Sequence, residues 1–292
     1  MPLQTEFEEI VQAGSPLAEF TWFNLGGPAE FLADPQTVEQ FGALVRRAHE
    51  DGIAIRLLGG GSNVLVRDEG VAGIVVRLMA DEFQKIEVDG NRVVAGGGAK
   101  LGHVISSAVR AGLAGLEPLV GIPGTVGGGL HGNAGGRGGD IGQWTCQATV
   151  VTRSGEICQR DRQDLVFGYR ESSLDELAII EAVFELEEDD PQELTKKMQK
   201  QWIVKKADQP LAHQSAGCIF KNPRGMSAAL LIEQAGLKGV KIGDVEVSDR
   251  HANFIVAEAG ASSKDVLQLI DQIRAGVAER LGVELETEIE IW

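Results

Sequence analysis

Four sets of residues in this chain have types and spacings that could do chemistry. The first is Gly59-Gly60-Gly61-Ser62-Asn63, directly after the apolar run IAIRLL at 53–58. Successive glycines behind a strand let backbone amides approach a pyrophosphate, because no side chain stands in the way and the amide dipoles can converge. One such loop is equally well a tight turn. The second set, GIPGTVGGGLHGNAGGRGGD at 121–140, shifts that balance, since two glycine-rich loops can hold one dinucleotide. Asn63 and Asn133 follow these glycines and could donate to a ring carbonyl or a phosphate, or only stabilise left-handed turns.

The third set is FGYRESS. Here Arg170 follows Tyr169, the only tyrosine in the chain, and its guanidinium can grip a carboxylate by two parallel hydrogen bonds or pair with Glu171 at the surface. The fourth is AGCIFKNP, where Gly217 allows close approach to Cys218 and Lys221 favours nearby anions. Lone cysteines also serve as inert core residues. Glu284, Glu286, Glu288 and Glu290 alternate along the terminal VELETEIEI, and pattern alone makes them a solvated acidic face. His131 has no second His or Cys at metal spacing, and His49, His103, His213 and His251 are isolated, so no metal site is expected.

The elements that must position these residues follow from periodicity. Val38, Phe41, Leu44, Val45 and Ala48 recur at helical spacing over 36–51, and Gly52 stops that helix before a buried strand at 53–58. VLVR and IVVRL read as two short strands, and KIEV with RVVAG as a hairpin around Asp89-Gly90. Gly96-Gly97-Gly98 opens a helix over 100–112, and 121–140 reads as loop. Strands at 146–153 and 178–186 flank FGYR, a helix runs through Lys206, and Pro210 marks a boundary. Beyond it come a helix over 226–235, a strand NFIVAEA, a helix from Ser262 to Leu281 and the alternating terminal strand. Gly96, Gly98 and Gly102 imitate a Rossmann fingerprint, but Glu117, the acidic residue at the right remove, lies in GLEPLVG instead of ending a second parallel strand.

Bulk properties narrow the function classes. A chain of 292 residues is long enough for two or three subdomains around one site. Its formal charge of −16 repels phosphate backbones and anionic lipid, which disfavours a nucleic-acid or membrane role and leaves a small molecule as the partner. Cys146, Cys158 and Cys218 are widely spaced and odd in number, as expected of a reduced, cytoplasmic protein. MPLQTEFEEI lacks the charge pattern of a secretory signal, and the uncharged stretch Pro118 to Gly136 holds eight glycines and makes a poor membrane span.

Taken in order, the motifs resemble the UDP-N-acetylenolpyruvoylglucosamine reductase family over nearly the whole chain. They are TWFNLGGPAEF (21–31), LLGGGSNVLVRD (57–68), GLEPLVGIPGTVGG (115–128), NAGG (133–136), FGYRES (167–172), SAGCIFKNP (215–223), LIEQAGLKG (231–239), VSDRHANFIV (247–256) and LETEIEI (285–291). The resemblance implies an α+β fold: a two-subdomain FAD-binding module of the vanillyl-alcohol-oxidase (PCMH) type, at 1–80 and 81–205, and a C-terminal α+β substrate-binding domain at 206–292. It implies FAD as cofactor and NADPH as reductant, acting on UDP-N-acetylglucosamine enolpyruvate for bacterial peptidoglycan synthesis, in a chain expected to be monomeric. It places FAD on Gly59, Gly60, Gly61, Ser62, Asn63, Gly121, Ile122, Gly124, Thr125, Gly127, Gly128, Asn133 and Gly135. Arg170, Cys218 and Glu288 fall on the catalytic positions, and Tyr169, Lys221 and Asn222 on the substrate.

The sequence departs from the family pattern in three ways. Cysteine stands at Cys218 where serine is common, and a thiol is intrinsically the more acidic proton donor. With Tyr169 in FGYR as its one tyrosine and a short interval to Cys218, the chain resembles the subgroup without a substrate-capping tyrosine insertion. HGNAGG and GDVEVS differ at Gly132 and Asp244. The alternatives are another FAD oxidoreductase of the same fold, acting on a different hydroxy or unsaturated acid, and a flavin-binding protein without turnover.

Overall fold

Thr37 starts the helix Val38–Asp51: its side chain accepts from the Gln40 amide, and Gly52 ends the helix in the left-handed region at φ +67°. Between these caps Phe41, Leu44, Val45 and Ala48 are buried, the stripe expected from their spacing. The computed structural model describes residues 3–136 and 138–292. Met1, Pro2 and Arg137 lie outside it, so the N-terminal stretch and the second glycine-rich loop are described without them.

Chain packing separates two units. One comprises the N-terminal residues through Ser15, Glu30–Gly60 and Ala72–Ile203; the other comprises Pro16–Ala29, Gly61–Val71 and Val204–Trp292. The first is built on two sheets. A four-stranded sheet runs in the order Val11–Pro16, Pro28–Ala33, Val71–Val76, Ile55–Leu57, its last pair parallel. Its core gathers Phe41, Leu44, Val45, Ile74 and Phe83.

The second sheet has five antiparallel strands in the order Ile157–Asp161, Thr145–Val151, Ala178–Glu185, Arg92–Gly96, Ile86–Asp89. Small residues meet across its centre, Ala182 opposite both Ala95 and Ala148, beneath the helix Leu101–Arg110. The hairpin at Asp89-Gly90 is present, and its antiparallel pairing rules out a Rossmann unit here. Gly96, Gly97 and Gly98 serve packing instead: a Cβ on Gly97 would lie 1.8 Å from the Ile179 carbonyl oxygen.

The stretch 121–140, read as loop, contains a six-residue helix, Val126–His131, capped by Thr125. Its glycines let it lie on bare backbone, since a Cβ on Gly127 would sit 3.1 Å from the Gly97 and Ile179 carbonyl oxygens. Among the strands that the sequence does not announce are Val11–Pro16, Pro28–Ala33 and Ile157–Asp161.

The other unit has one core, with Phe23 and Leu65 joining Phe220, Ile232, Val247, Ile255, Leu269 and Ile273. The helix Ser263–Leu281 is fixed at its start by a reciprocal box, the Ser262 hydroxyl accepting from the Asp265 amide and Asp265 accepting from Ser262. A three-stranded sheet orders Lys241–Ile242, Val245–Val247 and Ile255–Ala257. The terminal segment is not one regular strand. Only Glu290–Ile291 forms a strand, parallel to Val64–Leu65, and Thr287 makes a single bridge to Phe220.

Asn253 holds this unit at Phe220 by standing in for a backbone. Only 3% exposed, it donates from Nδ2 to the Phe220 carbonyl at 2.8 Å and accepts at Oδ1 from the Phe220 amide at 3.0 Å. Replacing it with alanine orphans both buried groups, so Asn253→Ala is expected to cost about 2–4 kcal/mol. Thermal denaturation checks this; a Tm unchanged from the parent would mean the pair contributes nothing.

Candidate active site

The two glycine-rich loops meet. A Cβ on Gly59 would lie 2.7 Å from Thr125 Oγ1, and one on Gly60 would lie 2.8 Å from Gly124 Cα, so the loops touch, glycine backbone against the Thr125 side chain and the Gly124 main chain. Gly121 and Gly124 have φ of +77° and +110°. Thr125, buried, accepts from the Gly128 amide, and the Gly127 amide donates to the Gly97 carbonyl at 2.8 Å. Ile122 packs on the hydrophobic core, and Gly135 pairs with Asp140 in a short hairpin. The missing side chains of Gly59 and Gly60 let the two loops close on each other, and Gly121 and Gly124 leave main chain without side chains beside that contact, the kind of backbone a pyrophosphate needs.

Gly61 continues the first loop in the other unit, with φ +63°; a Cβ there would lie 1.9 Å from the Phe20 carbonyl oxygen. The Trp22 amide donates to the Gly61 carbonyl at 2.9 Å, which pins this turn to TWFNLGG. Ser62 and Asn63 complete the turn. Asn63 then reaches the C-terminal segment: Nδ2 donates to the Glu288 carbonyl at 3.2 Å, and its own carbonyl accepts from the Glu290 amide at 3.0 Å.

Arg170 sits at the tip of a hairpin. Phe167–Gly168 pairs with Glu171–Ser172, leaving Tyr169 and Arg170 as a two-residue turn. Arg170 has φ +58°, in the left-handed region that bulky residues seldom occupy. Its guanidinium carbon lies 5.3 Å from the centre of the exposed Tyr169 ring, an arrangement worth about 0.5–1 kcal/mol at an exposed site. Asn133, also left-handed at φ +40° and 2% exposed, donates from Nδ2 to the Gly168 carbonyl at 2.7 Å and accepts at Oδ1 from the Gly142 amide at 3.1 Å. Its side chain therefore spends both ends on the backbone. His131 Nδ1 lies 3.2 Å from the Leu174 carbonyl oxygen.

Cys218 and Glu288 lie together in the second unit. Cys218 bridges Phe254, and the next residue but one, Phe220, bridges Thr287, so the thiol and the carboxylate stand on neighbouring extended segments. The Glu288 amide donates to the Ile219 carbonyl at 2.7 Å, and the Lys221 amide to the Glu286 carbonyl at 2.8 Å. Glu284, Glu286 and Glu290 are exposed while Glu288 is half-buried, which separates it from the acidic face it shares by period. Glu286 in turn holds Lys221, Oε1 to Nζ at 2.6 Å, a partner the sequence reading missed. Asn222 Oδ1 accepts from the Ala228 amide at 2.9 Å, which orients its side-chain amide.

The three thiols differ in setting. Burial pushes Cys146 above its ordinary pKa, with the Arg92 guanidinium opposing, and its Sγ contacts the Val183 carbonyl oxygen at 3.4 Å. Cys158 packs against the core of the five-stranded sheet. Cys218 alone has a lysine on its own segment, Lys221, and a half-buried carboxylate, Glu288, on the neighbouring one.

Loops of this kind suit a flavoprotein, and comparison shows the class: residues 29–160 match an FAD binding domain and the relatives are reductases, so the chain is an FAD-dependent oxidoreductase. Residues 209–292 match the C-terminal domain of UDP-N-acetylenolpyruvoylglucosamine reductase. An enzyme named UDP-N-acetylenolpyruvoylglucosamine reductase 2, from Symbiobacterium thermophilum, is 43% identical over 97% of this chain and 92% of its own. The Listeria innocua UDP-N-acetylenolpyruvoylglucosamine reductase is 38% identical over 99% and 97%. The solved structure of the Thermus caldophilus enzyme superposes with a TM-score of 0.83 at 38% identity, covering 97% of this chain and 98% of that one. The chain belongs to the UDP-N-acetylenolpyruvoylglucosamine reductase family, and its fold is the α+β arrangement of a flavin-binding module and a C-terminal domain.

Three substitutions test the backbone here. Gly61 and Gly52 have nearly the same left-handed φ, but a Cβ on Gly52 meets nothing within 4 Å. Gly52→Ala should cost about 1 kcal/mol, the left-handed penalty alone, whereas Gly61→Ala should cost about 3 kcal/mol or more and lose bound flavin. Equal costs in chemical denaturation would show that the Phe20 contact yields freely. Arg170→Gly should leave stability within about 1 kcal/mol of the parent, because relief of the strained backbone offsets the lost cation–π contact, while turnover falls at least about 100-fold. A large loss of stability, or retained turnover, would contradict that reading.

Proposed function

We propose that the enzyme catalyses the NADPH-dependent reduction of UDP-N-acetylglucosamine enolpyruvate to UDP-N-acetylmuramate, a step in bacterial peptidoglycan precursor synthesis. In this reading it acts as a cytoplasmic monomer of the subgroup without the capping tyrosine. No helix among the described residues is long and apolar enough to cross a membrane. The observation that carries the reading is the paired glycine loop: Gly59-Gly60 packs directly on Gly124-Thr125 in a chain similar over nearly its whole length to reductases of this name. The work divides among residues 1–80 and 81–205, a two-part FAD module of the vanillyl-alcohol-oxidase type, and 206–292, which binds substrate.

FAD, when bound, supplies a hydride originating from NADPH and destined for the enolpyruvyl methylene carbon. Gly59, Gly60, Gly61, Ser62 and Asn63 would hold it, together with Gly121, Ile122, Gly124, Thr125, Gly127, Gly128 and Gly135. Asn133 would contribute through its main chain, since its side chain is spent on Gly168 and Gly142.

The remaining steps belong to side chains. As hydride reaches the methylene carbon, the double-bond electrons move onto the adjacent carbon and its carboxylate. Arg170 binds that carboxylate by paired hydrogen bonds and stabilises the developing charge. The Cys218 thiol gives its proton to the carbon beside the carboxylate, and the thiolate is reprotonated from solvent. Glu288 steadies the enolate by a hydrogen bond. Tyr169, Lys221 and Asn222 hold the sugar nucleotide, with Lys221 aimed by Glu286.

The test is the visible spectrum of the purified holoenzyme under anaerobic conditions. NADPH should bleach the flavin, and the enolpyruvyl sugar nucleotide should restore the colour. Absence of bound flavin would sink the proposal; bleaching without recovery would point to another flavin oxidoreductase with a different acid as substrate. Cys218→Ala should still bleach with NADPH but recover at least about 100-fold more slowly, while Cys218→Ser keeps appreciable activity. Recovery of the alanine variant at the parental rate would show that another group is the acid.

A further inference from the structure

We infer that Asn133 is a positioning residue for Arg170, a buried clamp tying the second glycine-rich loop to the arginine hairpin. The inference rests on the assignment of Arg170 to the substrate carboxylate. Asn133 follows the helix Val126–His131 by two residues, and it is one of the few buried polar side chains. Nδ2 donates to the carbonyl of Gly168, the last paired residue before Tyr169 and Arg170, while Oδ1 accepts from Gly142. A Cβ on Gly142 would lie 2.3 Å from the Phe167 ring, so this ring rests on the same bare backbone that Asn133 grips.

The hairpin is thus held at two adjacent residues, Phe167 by packing and Gly168 by a hydrogen bond. Arg170 needs such a hold. A two-residue turn whose second member is a bulky residue at φ +58° relaxes to other conformations unless its stem is fixed. With its stem fixed, the guanidinium is presented in one place, and its planar fork meets a carboxylate without a search. Because Asn133 belongs to a loop that would cradle FAD, the cofactor side and the substrate-binding arginine share one buried amide.

The experiment uses FAD-loaded enzyme in three forms: parental, Asn133→Gly and Asn133→Asp. Glycine accepts φ +40° without strain and deletes both hydrogen bonds; aspartate keeps the acceptor for Gly142 and loses the donor to Gly168. Limited trypsin digestion followed by mass spectrometry reads the hairpin itself, as cleavage after Arg170. Anaerobic stopped-flow reads bleaching by NADPH and recovery on the enolpyruvyl sugar nucleotide separately. Both variants should be cut after Arg170 roughly 10-fold faster than the parent. They should recover colour about 10- to 100-fold more slowly than the parent, a larger loss than any in flavin content or in bleaching by NADPH.

Loss of flavin or slowed bleaching with parental trypsin resistance would overturn the inference and make the side chain a cofactor ligand. Faster cleavage with parental recovery would also overturn it, because the hairpin would then be loose without consequence. If aspartate prevents folding, the glycine variant carries the same test. Failure of the parental enzyme to recover colour counts against the proposed substrate alone, and the cleavage arm still reads the clamp.

Discussion

A Cβ on Gly61 would fall 1.9 Å from the Phe20 carbonyl oxygen, one on Gly97 1.8 Å from that of Ile179, and one on Gly98 1.9 Å from that of Leu78. At each point one stretch of main chain lies directly on another with no room for a side chain. The rest of the structure depends on these approaches. Gly97 lets the turn after Arg92–Gly96 settle on the strand Ala178–Glu185, and the helix Val126–His131 then rests on both. That helix sets the height of Gly124 and Thr125, and so decides whether they can meet Gly59 and Gly60. The cradle is an outcome of sheet packing as much as of local loop sequence.

Such a construction explains which parts of the fold the sequence revealed. Val38–Asp51 and Ser263–Leu281 were legible because each has a buried stripe and a side-chain cap, so periodicity and capping agree. The strands Val11–Pro16 and Ile157–Asp161 were not. Each lies at the edge of its sheet and is largely exposed, so hydrophobicity does not alternate along it and nothing local separates it from loop. The helix Val126–His131 was hidden for a different reason. Its three consecutive glycines are poor helix formers, and it exists because Thr125 caps it and the sheet backbone accepts its bare face.

The site divides along similar lines. Residue types and motif order were enough to single out Arg170, Cys218 and Glu288, but the groups that hold them depend on register. Glu286 was assigned to a solvated face, and it pairs with Lys221 only because Phe220 bridges Thr287, an alignment across more than sixty intervening residues. Asn253 and Asn133 act alike: each gives a buried side-chain amide to main-chain groups, one as donor partner and one as acceptor partner. A buried asparagine doing this resembles any loop asparagine in sequence, because its partners are main chain and leave no mark on residue type.

Arg170 shows why the supporting groups carry as much information as the reacting ones. A side chain in the left-handed region costs on the order of 1 kcal/mol that glycine or asparagine would largely avoid, and Arg170 takes that conformation half-buried beside the exposed Tyr169. The flanking structure absorbs the cost through the Phe167 ring on Gly142 and the Asn133 hydrogen bond to Gly168, both placed before the strained residue instead of at it. Holding a turn by its stem leaves the tip open for a ligand. A turn built only for stability would put a tolerant residue at the tip and need no buried clamp below it, so neither the strain at Arg170 nor the clamp is explained by the stability of the turn itself.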